Sequence, residues 1–479
     1  MIAGLLSLYR PSYISALVYM LQSTEYRAWP YLKWYWRTSR FDRIMHRRQL
    51  DRTVVARALS ITLAVGMLVQ IGLGAACIYL WATDRFAIGV QVGIALIISY
   101  PVVWADLIVI PLALGRMFII KPKQVHQVRS ARKIFGAHKG VTIAVAGSYG
   151  KTSMKELLLT VLSEGKKVAA TPANKNVATS HAAFARRLKG DEDVLIIEYG
   201  EGKPRDVKKF ARNTHPDLAV ITGLAPAHLD QYKSLERAGK DIFALADYLH
   251  DENVYVNGES ESTKPFLKPS HQLYSSKEVD GWKISDIVLT LDGTDFTMKK
   301  GRETLKLHSG LIGKHQVGPL ALVAALAREL ELTRKEIETG VAKTRPFEHR
   351  MQPRNLGGAA IIDDTYNGNI DGMKAGLELL KTLPAGRKLY VTPGLVDQGK
   401  ETKRIHFELG QAIAKAGPDV VVLMQNTVTN FIIEGIQSEN YKGELRVEFD
   451  PLLFYGNLDA FVANGDIVLM QNDWTDNYA

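Results

Sequence analysis

The chain has 479 residues, with 60 Lys+Arg against 50 Asp+Glu and a formal net charge of +10. At roughly 100–200 residues per domain, that length excludes a single small domain and fits two to four. An apolar content of 46% excludes a disordered chain, and one cysteine, Cys77, excludes both a disulfide framework and a cysteine-ligated zinc site. A basic balance suggests nucleic acid only if the charge is spread. It is not: residues 1–140 hold 18 Lys/Arg against 5 Asp/Glu, and the remainder hold 42 against 45. The larger part of the chain is slightly acidic, so no nucleic-acid partner is expected.

The basic end carries the apolar runs. Ser12 to Gln22 is apolar but only 11 residues long, too short to span a bilayer. With the aromatic cluster Tyr26, Trp29, Tyr31, Trp34, Tyr35 and Trp36 it reads as an interfacial helix, a third embedded segment being the alternative. Ala58 to Trp81 has 24 residues without a charge and Phe86 to Ala105 has 20. Each is long enough as a helix to cross about 30 Å of hydrocarbon. The short link around Asp84 and Arg85 predicts a helical hairpin over about 58–81 and 86–110. Arg37, Arg40, Arg43, Arg47, Arg48, Arg52 and Arg57 lie before it. Arg116, Lys121, Lys123, Arg129, Arg132 and Lys133 follow it. By the positive-inside rule both ends are cytoplasmic, with anionic lipid headgroups as the counter-charge. Pro101, Asp106 and Pro111 mark a kink or a re-entrant piece. Asp106 is either an intramembrane functional carboxylate or an interfacial one.

From Gly140 the texture changes to strand–helix alternation. Val141-Thr-Ile-Ala-Val145 predicts a strand leading into Gly147-Ser-Tyr-Gly-Lys-Thr-Ser153 and then a helix. Strand, glycine loop, Lys-Thr and helix form the arrangement that cradles phosphates. Backbone N–H groups face the anion, Lys151 reaches the β/γ-phosphates and Thr152 holds Mg²⁺. Val145 stands where the common pattern has its first glycine. Val194-Leu-Ile-Ile197 ends in Glu198, and the loop after Leu218-Ala-Val-Ile221 carries His228. Such groups at strand ends beside a phosphate loop suit a metal, although each alone also fits a salt bridge or a loop histidine. Residues 254–310 read as a β extension, and Gly318–Leu332 as a helix. A second doubly wound block follows Pro346, with strands at Ala359–Ile362, Leu389–Val391, Val420–Leu423 and Ile467–Met470.

Taken in order, these segments resemble the Mur ligases, ATP-dependent amide-bond ligases of peptidoglycan precursor synthesis. Six family motifs are matched: Gly147-Ser-Tyr-Gly-Lys-Thr-Ser153; Thr171-Pro-Ala-Asn-Lys-Asn176; Ile196-Ile-Glu-Tyr-Gly200; Ala227-His-Leu-Asp230, followed by Lys240; Gly313-Lys-His-Gln316, with Gln316 for the family's Asn; and Asp363-Asp-Thr-Tyr-Asn367. The resemblance implies a P-loop-type central α/β ATPase domain over 136–344 and a Rossmann-like C-terminal α/β domain over 345–479, behind a membrane-anchoring region over 1–135.

It further implies a ligase that phosphorylates a substrate carboxylate and lets an amine, D-alanyl-D-alanine or a similar amino acid or dipeptide, attack the acyl phosphate. ATP and Mg²⁺ are the implied cofactors, and a peptidoglycan-precursor-like carboxylate is the implied acceptor. By the same resemblance Gly147, Ser148, Gly150, Lys151, Thr152, Ser153, Asn174, Asn176, His315, Gln316, Arg350, Asp364, Tyr366 and Asn367 hold nucleotide and substrate. Thr152, Glu198 and His228 hold metal. Lys151, His228 and Lys240 serve catalysis, Lys240 as the lysine that family members carbamoylate. Two departures stand out. The family's sugar-nucleotide-binding N-terminal domain is replaced by the membrane segment. The last strand ends in Met470-Gln-Asn-Asp-Trp474, where the family carries a Lys-Gly-Ser-Arg-like sequence. The expected location is the cytoplasmic membrane, multi-pass, with membrane lipids as partners and the ligase domains on the cytoplasmic side. The alternatives are a non-catalytic anchored scaffold with a ligase-like fold and a ligase acting on a lipid-linked acceptor.

Overall fold

The computed structural model describes residues 6–24, 26–38, 41, 50–173, 175–225, 232–366, 368–395 and 398–472. The chain divides into two compact units, Met1–His126 and Gln127–Ala479.

In the first unit, helices α1 (Ser12–Ser23) and α2 (Ala28–Tyr35) precede the long helices α3 (Val54–Ala82) and α4 (Gly89–Leu107). The Thr53 hydroxyl caps α3 by accepting from the Ala56 N–H at 3.1 Å, satisfying one of the free amides of its first turn. Small residues let α3 and α4 approach closely. A Cβ on Gly74 would lie 2.8 Å from the Gly93 carbonyl, and one on Gly93 would lie 2.5 Å from the Gly74 carbonyl. Gln70 adds a polar clasp, donating to the Leu96 carbonyl at 3.0 Å and to the Ser99 hydroxyl at 3.2 Å.

The N-terminal aromatics have partners within this unit. Tyr9, Tyr13 and Tyr31 donate to the α4 carbonyls of Ile98, Pro101 and Ala105 at 2.6, 3.0 and 3.0 Å. These three acceptors are three and four residues apart, so they share one face of α4. Helix α1 buries Tyr13, Leu17, Val18 and Leu21 in a cluster with Leu59, Leu63 and Met67 of α3. Asp106 bonds the Trp36 side chain. The chain stays helical past Pro101 through α5 (Val109–Gly115), a π-turn at Arg116–Ile120 and α6 (Lys121–Ala137). Two helices, Val54–Ala82 and Gly89–Ala137, are long and apolar enough to cross a membrane, and only 28% and 22% of their apolar windows are buried.

The second unit starts inside α6, where Ala131 and Phe135 join the core of the central sheet. That sheet has ten strands in the order β10-β9-β8-β7-β6-β5-β4-β1-β3-β2. In chain order they are β1 Val141–Ala146, β2 Val168–Ala170, β3 Val194–Glu198, β4 Leu218–Ile221, β5 Val254–Asn257, β6 Gln272–Tyr274, β7 Glu278–Val279, β8 Trp282–Leu289, β9 Thr294–Lys300 and β10 Glu303–Ser309. The strands from β2 to β6 run parallel, and β7 to β10 extend the edge as an antiparallel meander. The expected β extension is thus this meander. Parallel strands are covered on both faces, which explains why β1, β3 and β4 are almost entirely buried. Helices α7 (Lys151–Leu162), α8 (Ala178–Ala185), α9 (Asp206–Thr214), α10 (Leu235–Tyr248), α11 (Val317–Glu329) and α12 (Arg334–Ala342) complete the domain.

A six-stranded sheet follows, ordered β11-β12-β16-β13-β14-β15. Its strands are β11 Gln352–Leu356, β12 Ala359–Asp364, β13 Arg387–Thr392, β14 Val420–Met424, β15 Glu444–Glu448 and β16 Asp466–Gln471. All are parallel except the edge strand β11. Helix α13 (Ile370–Thr382) opens with the Asn369 side chain accepting from the Gly372 N–H at 3.0 Å.

Candidate active site

Strand β1 lies between β3 and β4, with Val145 paired to Glu198 and Ala146 to Ile221. The carboxyl ends of three neighbouring strands therefore meet where the glycine loop leaves β1, the position at which doubly wound sheets bind ligands. Two glycines are required there by geometry. Gly147 has φ +146° and a Cβ on it would lie 2.3 Å from the Thr222 hydroxyl. Gly150 has φ +71° and turns the chain into α7. Thr222 also donates to the Ala146 carbonyl at 3.2 Å and to the Tyr149 carbonyl, pinning both ends of the loop. The N-terminus of α7 faces the loop, so free amides and the helix dipole favour an anion there.

Around this loop the side chains form a charged cluster. The Lys151 ammonium donates to the Gly147 carbonyl and lies 3.6 Å from Glu201. Glu198 is 1% exposed at the end of β3. Its Oε1 accepts from the Thr152 hydroxyl at 3.2 Å and from the Asn176 amide at 3.0 Å. Its Oε2 is buried and accepts no hydrogen bond, with the fully buried Lys155 ammonium 3.6 Å away. Lys155 also donates to the Ala173 carbonyl and pairs with Glu156 at 3.1 Å. Asn176 is locked from behind: a Cβ on Gly200 would lie 2.4 Å from its Oδ1. His181 donates from Nε2 to the Glu198 carbonyl at 2.9 Å, and burial pushes its pKa down to about 4, so it is a neutral structural support.

The expected metal ligands Thr152 and Glu198 thus share a hydrogen bond. Glu198, a buried hard carboxylate whose Oε1 meets the Thr152 hydroxyl and whose Oε2 accepts no hydrogen bond, suits a Mg²⁺ ion. Among the described residues, no group of three or more His, Cys, Asp or Glu residues suits a metal. His228, Asn174 and Asn367 lie outside the described residues. Ser153 sits half-buried in the first turn of α7. Lys240 pairs with Glu236 at 2.5 Å on the solvent face of α10, where both side chains are 68% exposed. The neighbouring Asp241 takes the inward position, accepting from Tyr232 at 2.9 Å and from the Arg205 N–H at 2.6 Å. One step along a helix rotates a side chain by about 100°, so Lys240 points away from that face.

His315 and Gln316 form a short turn before α11. The Gln316 amide donates to His315 Nε2 at 2.9 Å, which leaves the proton on Nδ1, a buried donor without a partner. Burial pushes the His315 pKa down to about 4. A neutral ring with one unspent donor suits an acceptor on a nucleotide base. Across the unit, Tyr149 of the glycine loop is raised in pKa by burial and bonds Ser260, with Asp371 of α13 close enough to add to the shift. That helix also contacts the Lys314–Gln316 turn.

In the second sheet β12 and β16 pair Asp364 with Gln471. The Gln471 amide donates to Asp364 at 2.8 Å and accepts from Tyr390 at 3.0 Å. The Met351 N–H donates to the other Asp364 oxygen at 3.2 Å. Asn472 donates to the Gly394 carbonyl at 2.7 Å and accepts from the Gly368 N–H at 2.6 Å. The Gln-Asn pair that departs from the family pattern thus knits the strand-end loops together. Arg350 stacks over the exposed Tyr366 ring at 4.6 Å. Sequence reasoning missed Lys155, Glu201, Thr222 and Gln471. A lysine among Met154, Leu157 and Leu158 on the buried face of α7 was a signal for the first.

Burial raises the Asp364 pKa to about 6, although Gln471 and the Met351 amide oppose the shift. The unfolded chain releases this proton near pH 4 and the folded chain only near 6, so stability from this group is present at low pH and falls as pH rises through that window. D364N is expected to remove that slope, worth up to about 3 kcal/mol between pH 4 and 6. Denaturant titrations of both proteins across that range check it.

A glycine loop on a parallel sheet, joined to a second doubly wound domain, defines a two-domain nucleotide-binding α/β protein of P-loop type. Family models for the Mur ligase middle domain and for the Mur ligase glutamate ligase domain match residues 145–327 and 349–470. The chain belongs to the Mur ligase family. It is 27% identical over 291 residues to UDP-N-acetylmuramoyl-tripeptide–D-alanyl-D-alanine ligase of Escherichia coli, covering 58% of this chain and 63% of that one. Against the Bacillus subtilis ligase of the same name it is 23% identical over 347 residues, covering 70% and 67%. The first of these matches spans about three fifths of the relative's length. MurF of Thermotoga maritima, solved with ADP, superposes with a TM-score of 0.63 at 22% identity, covering 73% of this chain and 80% of that one. MurF of Acinetobacter baumannii gives 0.62 at 18%, covering 73% and 77%. These likenesses establish the α/β Mur ligase fold.

Proposed function

We propose that the chain is an ATP-dependent carboxylate–amine ligase that forms a peptide bond through an acyl phosphate, adding D-alanyl-D-alanine or a similar amine to a peptidoglycan precursor. The observation that carries this reading is the convergence of Lys151, Thr152, Asn176 and Glu198 around one glycine loop, with the Glu198 carboxylate buried between the Thr152 hydroxyl and the Lys155 ammonium. Lys151 neutralises the transferring phosphoryl group, and the α7 N-terminus holds the phosphates. Thr152 and Glu198 would hold Mg²⁺, which supplies further neutralisation of the polyphosphate. Asn176 fixes the Glu198 carboxylate in place. His315 and Gln316 face the base. Arg350, Asp364 and Tyr366 come from the second domain, and closure of that domain excludes water from the acyl phosphate. The domain limits 136–344 and 345–479 belong to this reading. It is supported by named relatives that join a UDP-muramoyl tripeptide to D-alanyl-D-alanine. The test is ADP release with candidate acceptors and amines: release that needs both substrates supports the ligase, release that needs no amine contradicts it, and none favours a scaffold.

A specific observation favours a lipid-linked acceptor as a second reading. The family match begins at residue 145, and two helices of membrane-spanning length and outward apolar faces precede it. On this reading residues 1–135 form a multi-pass anchor in the cytoplasmic membrane, in contact with lipids, with basic flanks and ligase domains on the cytoplasmic side. Equal rates on soluble and lipid-linked acceptors would count against it.

A further inference from the structure

Glu201 lies three residues beyond Glu198. Its two carboxylate oxygens engage two different groups of the glycine loop. Oε2 accepts from the Ser148 hydroxyl at 3.1 Å, and Oε1 lies 3.6 Å from the Lys151 ammonium. The Glu201 side chain is 3% exposed and that of Lys151 is 12% exposed, so this is an enclosed contact. The backbone explains how it gets there. Strand β3 ends at Glu198, which turns toward Thr152 and Asn176. Gly200 packs tightly against Asn176, and Glu201 follows it to reach Ser148 and Lys151. The two carboxylates divide the loop between them: one faces the Thr152 hydroxyl, and the other faces Ser148 and Lys151.

We propose that Glu201 is a resident counter-anion of the glycine loop, holding Ser148 and Lys151 in the positions that nucleotide phosphates claim, so that nucleotide binding must displace it. The inference rests on the nucleotide-binding reading above and deepens it. A hydroxyl and an ammonium bridged by one carboxylate present the donor set that a phosphate's oxygens use. An incoming polyphosphate and this carboxylate carry the same sign and compete for the same lysine. Binding therefore includes the cost of moving Glu201 out or of repulsion if it stays. A metal-ligand role for Glu201 makes the opposite prediction, because losing it would then weaken Mg²⁺-dependent binding.

The test is direct titration of the full-length protein in detergent with ATP and with ADP, each with and without Mg²⁺. Wild type, E201Q and E201A are compared. E201Q keeps a carbonyl that accepts from Ser148 and removes only the charge. Both variants are expected to bind nucleotide on the order of tenfold more tightly, metal or no metal, with the gain shrinking at high salt. In steady state, KM for ATP falls while kcat does not rise. Unchanged or weaker binding in both variants, or a loss confined to the Mg²⁺ titrations, overturns the proposal while leaving the ligase reading intact. Absence of nucleotide binding in wild type and variants alike overturns both.

Discussion

Lys151→Ala is expected to lower ATP-dependent amide formation by about a thousandfold or more, to the limit of detection. The ammonium is the only Lys or Arg among the described loop residues 147–153, and it sits at the N-terminus of α7 with the Gly147 carbonyl as its resting partner. Phosphoryl transfer depends mainly on positioning and charge neutralisation, so removing this charge removes most of what the protein supplies. The fold should survive, because Lys151 packs into neither core cluster of the central domain. The checks are a coupled ADP assay with acceptor and amine present and a melting curve. Amide formation within tenfold of wild type would contradict the assigned role.

Lys155→Met should damage both stability and activity. Lys155 is fully buried, and its ammonium is 3.6 Å from a Glu198 oxygen with no other partner. Removing one member of a buried pair leaves the other charge uncompensated, at a cost of about 3–5 kcal/mol. The same change frees the Ala173 carbonyl and with it the segment leading to Asn176. Adding Glu198→Gln on top should recover part of the stability, because no buried charge is then left alone, yet restore no activity, because the carboxylate proposed to hold Mg²⁺ is gone. Denaturant titration of the single and double variants measures the coupling. Additive losses would mean that the two side chains do not support each other.

Much of this site could be read in the sequence because its parts are local. Gly147, Gly150, Lys151 and Thr152 are contiguous, and strand, loop and helix follow from composition over a few residues. Glu198 could be read because a buried parallel strand that ends in a carboxylate is conspicuous. Gln471 could not, since its role comes from the β12–β16 register that sets it beside Asp364 across more than a hundred residues of sequence. Motif spacing likewise does not say which face of α10 looks inward; the structure turns Asp241 toward Tyr232 and Lys240 toward Glu236. The aromatic N-terminus reads as interfacial from its composition, whereas the bonds of its tyrosines to α4 carbonyls depend on packing that no local pattern encodes.

The central claim is that this chain joins a carboxylate to an amine at the cost of ATP. Mass spectrometry of the product from purified protein, ATP, Mg²⁺, D-alanyl-D-alanine and a panel of soluble and lipid-linked muramoyl-peptide precursors tests it most directly. The expected result is a precursor heavier by the amine less one water, formed only with ATP and absent with Lys151→Ala. ADP released with every precursor unchanged in mass would contradict it.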